Sequence, residues 1–90
     1  MIKLVEIVRD SGDYNLREIF INPEHVVCLR EDNVLKQRLI EGKLPEGLDT
    51  RQAFTKLTVD NGTNGTEFIV VGTPSSIESK LKGAKKVLHG

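Results

Sequence analysis

Metal binding and nucleophilic catalysis rely above all on histidine and cysteine, and this sequence holds His25, Cys28 and His89. A metal site needs several such ligands at short spacings. His25 and Cys28 occupy an odd and an even position of one apolar run, and side chains alternate between the two faces of a strand. We therefore predict neither a metal site nor a Cys–His catalytic pair, and we interpret Cys28 as a small buried hydrophobic residue.

Other catalytic signatures are also absent from the sequence. It contains no Gly-x-Ser-x-Gly elbow, no phosphate-binding loop and no dinucleotide fingerprint. Acidic residues are numerous, but no pair stands in an apolar setting that would raise one pKa. Phe20 and Phe68 lie in apolar runs and are predicted to be core residues, which leaves few aromatic rings for stacking on bases. The sequence predicts a protein that is not an enzyme and needs no cofactor.

The charge balance bears on the class of partner. Thirteen basic residues offset thirteen acidic ones, so no overall field would hold the phosphate backbone of duplex DNA. Residues 75–90 nevertheless carry Lys80, Lys82, Lys85 and Lys86 against Glu78. This basic segment is interpreted as a solvated helix face, and the alternative is a site for single-stranded RNA.

Apolar segments such as residues 68–71 are far too short to span a membrane. The first residues show no charged-then-apolar leader pattern. A single cysteine cannot form an internal disulfide and suits a reducing compartment. We therefore expect a soluble, cytoplasmic protein that does not contact a membrane.

Five apolar, strand-like runs at residues 2–9, 15–21, 25–31, 54–60 and 66–72 indicate the elements that would position any binding residues. Asn22-Pro23 is a corner signal, and Asn61-Gly62 is a hairpin signal. The sequence predicts a single α+β domain over residues 1–90, with a strongly bent, five-stranded antiparallel sheet in the order βββ-α-ββ-α. Residues 1–31 are expected to form an antiparallel meander.

Two helices complete the predicted fold. Asp32 is a good N-cap for a helix that stops near Gly42, and it opens a helical insert at residues 33–53 between the third and fourth strands. Ser75-x-x-Glu78 resembles a capping box at the start of a C-terminal helix. One face of that helix combines four apolar residues, namely Ile77, Leu81, Ala84 and Leu88.

Two blocks of the sequence follow a known pattern. The first is Met1-Ile2-Lys3-Leu4 followed by residues 20–27, Phe-Ile-Asn-Pro-Glu-His-Val-Val; the second is residues 54–62 followed by Phe-Ile-Val-Val-Gly at 68–72 and a terminal helix. This order resembles the FlbD-like flagellar proteins, although residues 33–53 have no counterpart in them. Similar small chains occur in phages, and some of them counter Thoeris-type defences by sequestering cyclic-nucleotide signals within a homo-oligomer. The resemblance implies an architecture and a ligand class, and it assigns no site residue.

On this basis we predict a non-enzymatic, oligomeric protein that binds a small phosphate-bearing nucleotide. Phosphate is held by guanidinium or ammonium groups and by free helix N-termini. Arg38 is singled out because it interrupts the apolar arc of Val34, Leu35 and Leu39; the alternative is that its stem packs while its head reaches solvent. For the start of the last helix the alternative is an ordinary cap. The candidate ligand-binding residues are Arg30, Arg38, Arg51, Lys56, Thr73, Ser75 and Ser76.

Assembly is predicted from the first strand, which is apolar on both faces: Ile2, Leu4 and Val8 on one, Val5 and Ile7 on the other. One small helix covers only one face of a sheet, so we expect a homo-oligomer, either a dimer or an assembly of dimers.

An alternative function is a protein-interaction module that inhibits or regulates a host or flagellar partner through a strand edge or the insert.

Overall fold

The computed structural model describes residues 1–42, 51–60 and 62–89, and it describes side chains as far as Gly83. The α+β class, with a five-stranded antiparallel sheet and two helices, is confirmed. The strands are β1 (Ile2–Asp10), β2 (Asp13–Ile21), β3 (Val26–Glu31), β4 (Phe54–Asp60) and β5 (Gly65–Val71). The helices are α1 (Asn33–Ile40) and α2 (Pro74–His89), and a 3-10 turn spans Pro23–His25. Residues 43–50 of the predicted insert lie outside the described ranges.

The strand order in the sheet is β2-β1-β5-β4-β3. The predicted meander of residues 1–31 is therefore wrong: β1 pairs with β2, but β3 pairs with β4 at the opposite edge. The reason lies in the corner between β2 and β3. The Asn22 side chain accepts a hydrogen bond from the backbone of Glu24, and the 3-10 turn that follows buries Pro23 and leads the chain away from β2.

This short corner forces the sheet to curl. Ile21 and Val26 are five Cα–Cα steps apart, which reach at most about 19 Å at roughly 3.8 Å each. In a flat sheet, four strand spacings of roughly 4.8 Å would already separate the edge strands by that much. Moreover, Ile21 lies opposite Ile2 and Val26 opposite Val59, at opposite ends of the sheet. Only a strongly coiled sheet brings these ends within reach.

Each face of the sheet carries one helix. On the first face α2 buries Ile77 and Leu81 against a core completed by Leu4, Ile21, Leu57 and Val70. On the second face α1 buries Leu35 and Leu39 against Ile7 and Phe54. The burial predicted for Ile77 and Leu81 is confirmed, while the side chains of Ala84 and Leu88 lie outside the described part of the chain. Full burial of one such aliphatic side chain stabilises the fold by roughly 1.5–3 kcal/mol.

The two helix starts differ in how well the sequence indicated them. Asp32 caps α1 as predicted, since its Oδ1 accepts a hydrogen bond of 3.2 Å from the Val34 amide. The capping box at Ser75 is wrong, because α2 begins one residue earlier, at Pro74. Proline is favoured at the first helical position, and the hydroxyl of Thr73 accepts from the Ser76 amide at 3.1 Å.

Two residues predicted to be buried are exposed. Phe20 is 62% exposed, because it lies on the edge strand β2 opposite Lys3, while α1 covers the other end of that face near Ile7. Cys28 is also exposed, since it lies on the other edge strand, opposite Thr58. No helix in the described ranges combines the length and the apolar composition needed to cross a membrane.

Candidate functional site

A groove of about 300 Å³ lies between α1 and the sheet. Small-molecule sites measure roughly 300–1,000 Å³, so this volume suits a ligand at the small end of that range. We call it the α1 groove. Its apolar lining is Ile7, Val34, Leu35 and Ile69, and its polar lining is Arg9, Tyr14, Asp32, Arg38 and Lys56.

Strand pairing and helix docking bring the polar lining together. Arg9 lies directly opposite Tyr14 across the β1–β2 hairpin, on the face that carries α1. Lys56 lies opposite Ile69 on the central strands of the same face. Arg38 belongs to α1 and lies three residues after Leu35. Leu35 is buried in the cluster that packs the helix on the sheet. Three cations from three different elements therefore converge on one groove.

Tyr14 is the common neighbour of the two arginines. The Arg9 guanidinium carbon lies 5.7 Å from the Tyr14 ring centroid, and that of Arg38 lies 6.0 Å away. A cation near an aromatic face gains about 0.5–1 kcal/mol at an exposed site. Within the described residues, Arg9, Arg38 and Lys56 form no ion pair. The groove therefore presents positive charge that the neighbouring protein groups leave largely uncompensated.

Asp32 is the one carboxylate among the described residues that line the groove, and it is only 7% exposed. Its backbone amide donates to the Phe54 carbonyl at 2.8 Å, and its Oδ1 caps α1. Its Oδ2 is buried and has no hydrogen-bond partner among the described residues. Leaving such an acceptor unsatisfied costs about 1–3 kcal/mol of folding free energy.

The candidate residues named from the sequence fall into separate places. Arg38 and Lys56 share the α1 groove. Arg30 lies opposite Lys56 in the β3–β4 ladder, on the same face but outside the groove lining. Arg51 and Thr73 line a different depression of about 350 Å³, together with two further residues, Gln52 and Ala53.

The N-terminus of α2 is capped by its own chain. The Thr73 hydroxyl accepts from Ser76, and the Thr73 carbonyl accepts from the Ile77 amide at 3.0 Å. Ser75 and Ser76 are exposed. These contacts fit the ordinary helix cap that was the alternative interpretation of Thr73, Ser75 and Ser76.

The basic face of α2 lies on the opposite side of the sheet from the α1 groove. Lys80 and Lys82 are exposed, and Lys82 forms an ion pair of 3.0 Å with Glu78. The side chains of Lys85 and Lys86 lie outside the described part of the chain. Of the two described lysine side chains of this helix, that of Lys82 is therefore already engaged in an ion pair within the helix.

Sequence reasoning missed three lining residues of the α1 groove: Arg9, Tyr14 and Asp32. Arg9 and Tyr14 could have been paired by extending the hairpin register from the turn at Ser11-Gly12. Asp32 was recognised as a cap, and a cap uses only one carboxylate oxygen. Whether the second oxygen is satisfied depends on the packing of α1 on the sheet, which no local pattern reveals.

Two neighbouring side chains alter the acidity of the exposed Cys28 thiol. Hydrogen bonds from the Thr58 hydroxyl and from Arg30 hold the pKa of the thiol below its ordinary value. No three His, Cys, Asp or Glu side chains within the described ranges are arranged to hold a metal ion, so Cys28 is not part of such a group there.

Comparison of the chain with protein-family models, with curated proteins and with solved structures gave no significant match.

Proposed function

We propose that the protein is a non-enzymatic binder of a small phosphate-bearing nucleotide, which it holds in the α1 groove. The observation that carries this proposal is the convergence of Arg9, Arg38 and Lys56, none of which has an ion-pair partner in the described part of the chain. With Asp32 as the one opposing charge among the described lining residues, these residues carry a net charge of +2. A phosphate group matches this charge and accepts hydrogen bonds from guanidinium and ammonium groups.

The lining favours a nucleotide over a free inorganic anion. Ile7, Leu35 and Ile69 give the groove an apolar floor, and such a floor gains energy when a flat ring or a sugar covers it. The resemblance to FlbD-like and phage chains supports the further proposal that the ligand is a signalling nucleotide, in cyclic form, which the protein sequesters in the cytoplasm.

We also propose that the protein assembles with a second copy of itself through β2. This strand forms one edge of the sheet, and an unpaired edge is a template for another strand. Three partly or largely exposed apolar side chains, Val5, Leu16 and Phe20, lie on the β1–β2 ribbon beside this edge. Light scattering at micromolar concentration should give at least twice the chain mass of 10.0 kDa, and a mass near 10.0 kDa would contradict the assembly.

The same edge supports the second candidate function, a protein-interaction module. An extended segment of a host protein could add to β2 just as a second copy could. Purification from a host extract separates the two candidates, since a stoichiometric host protein favours the interaction module. A nuclease-resistant small molecule absorbing at 260 nm favours the nucleotide binder.

The decisive experiment combines native mass spectrometry of the purified protein with calorimetric titration of linear and cyclic mononucleotides. Lys56→Met removes one groove cation and should weaken binding roughly 10-fold to 150-fold, the range for a charge-assisted hydrogen bond. Lys80→Met removes the same charge from the opposite face of the sheet and should leave the affinity unchanged. Absence of binding at millimolar concentrations of every nucleotide tested would refute the proposal, and equal losses in both variants would relocate the site away from the groove.

A further inference from the structure

The ring of Tyr14 is shared by two cations of the α1 groove. The guanidinium carbon of Arg9 lies 5.7 Å from the ring centroid, and that of Arg38 lies 6.0 Å from it. Arg9 is the cross-strand neighbour of Tyr14 in the β1–β2 hairpin, whereas Arg38 reaches the ring from α1. Tyr14 itself is half-buried and packs against the core between α1 and the sheet. One fixed ring therefore contacts two long side chains from different elements.

The hydrogen-bond donors of both guanidinium groups remain available to a ligand. Neither Arg9 nor Arg38 forms a hydrogen bond or an ion pair through its side chain within the described ranges. A cation–π contact uses the charge of the guanidinium group and the face of the ring. The five N–H donors of an arginine lie in the guanidinium plane, so a contact with the ring is compatible with donation to an anion. An ion pair with a carboxylate would occupy the same donors.

We propose that Tyr14 is a positioning residue, which holds Arg9 and Arg38 together as the phosphate subsite of the α1 groove. This inference rests on the nucleotide-binding function proposed above, and it names the part of the groove that takes the phosphate. An unrestrained arginine loses side-chain freedom when it binds an anion, and holding the side chain in place beforehand reduces that cost. Tyr14 acts through the two arginines and needs no contact of its own with the phosphate.

The emission of Tyr14 provides a direct test in the wild-type protein. The chain contains one tyrosine and no tryptophan, so its intrinsic tyrosine emission reports on Tyr14 alone. Inorganic pyrophosphate is the probe, because it does not absorb where tyrosine is excited. Titration should change the emission to a plateau with the Kd that calorimetry gives, and sodium chloride at matched ionic strength should not. Unchanged emission while calorimetry detects binding would place the phosphate away from Tyr14 and overturn the assignment.

Three variants separate positioning by the ring from packing. Tyr14→Leu removes the ring and should weaken pyrophosphate binding roughly 5-fold to 150-fold, the cost of ordering two long side chains on binding. Tyr14→Phe keeps the face of the ring and should bind within about twofold of the wild type. The matched control is Phe20→Leu, which changes the other aromatic residue of β2 outside the groove and should leave the affinity unchanged. The emission titration uses the wild type, so it tests the assignment even if Tyr14→Leu fails to fold.

A double-substitution cycle tests whether Tyr14 acts through arginine. In an Arg38→Met background, Tyr14→Leu should weaken pyrophosphate binding by a smaller factor than in the wild type, because only Arg9 remains for the ring to hold. Equal factors in both backgrounds would overturn positioning of Arg38 by Tyr14. Wild-type affinity in Tyr14→Leu would overturn the role of Tyr14 and leave phosphate binding by the groove intact. Failure of the wild type to bind pyrophosphate or any nucleotide would overturn both proposals.

Discussion

Replacing Arg38 with methionine separates a binding role of this residue from a packing role. Arg38 is half-buried on α1, lies 6.0 Å from the Tyr14 ring centroid, and forms no ion pair with the described residues. Methionine keeps an unbranched apolar stem and has a helix propensity close to that of arginine. The folded state therefore loses only the contact with the ring, worth about 0.5–1 kcal/mol. For a domain of this length that loss lowers the melting temperature by no more than about 8 °C.

The expected effect on ligand binding is larger than the effect on folding. If the Arg38 guanidinium holds the phosphate, its removal costs about 1.5–3 kcal/mol of binding free energy, or roughly 10-fold to 150-fold in Kd. Arg38→Ala should weaken binding by the same factor and should destabilise the fold further, because it also removes the side-chain stem. Calorimetric titration and scanning calorimetry on both variants, with Lys80→Met as the charge control, measure the two effects separately. Nucleotide affinity within twofold of the wild type in both Arg38 variants would refute a role for Arg38 in the site.

Three further predictions concern stability and thiol chemistry. Leu81→Ala truncates a buried residue at the contact between α2 and the sheet and should cost about 2–5 kcal/mol in urea denaturation; an unchanged midpoint would mean that α2 is undocked. Thr55→Val removes the buried hydroxyl that donates to the Gly72 carbonyl at 2.8 Å, and a loss of about 1–3 kcal/mol is expected by the same method, whereas Thr55→Ser should retain most of the stability. Cys28 should be alkylated by iodoacetamide at a lower pH in the folded protein than in the urea-unfolded chain, because hydrogen bonds from Thr58 and Arg30 lower its pKa. Thr58→Val should move the midpoint of that pH profile upward, and coincident profiles for the folded and unfolded chains would contradict the assignment.

Local patterns in the sequence predicted the strands and helices more accurately than their arrangement in the sheet. Alternating apolar residues indicate a strand wherever one face is buried, so the five strands could be identified without the structure. The position of β3 could not, because a strand that follows a corner can join either edge of a sheet. That choice depends on pairing with β4, which lies beyond α1 in the chain. Exposure was misjudged for Phe20 and Cys28 for the same reason, since both lie on edge strands whose cover depends on the whole sheet.

Only some residues of the α1 groove could be identified from the sequence, for a related reason. Arg38 could be singled out because a charged residue within an apolar arc is visible in a single helix, and Lys56 because it lies near the insert. Arg9 and Tyr14 are distant from the insert in the sequence. They line the groove because β1 and β4 both flank β5 and α1 packs across these strands. The balanced composition concealed this local excess of positive charge, because a net charge of zero describes the whole chain and not one groove.

The two faces of the sheet differ in role: the α2 face holds the larger core, and the α1 face holds the proposed binding groove. The α2 face contains four aliphatic residues with no more than 2% exposure, Leu4, Leu57, Val70 and Ile77, and they belong to one continuous core. The α1 face has a smaller core, and its margin holds uncompensated cations and an unsatisfied carboxylate oxygen. Polar groups held in this way cost folding energy and contribute nothing to a core, which is the pattern expected where a ligand completes the packing. Because the curled sheet separates the two layers, the α2 core can stabilise the strands that position Arg9 and Lys56, while α1 positions Arg38 and its N-cap is Asp32.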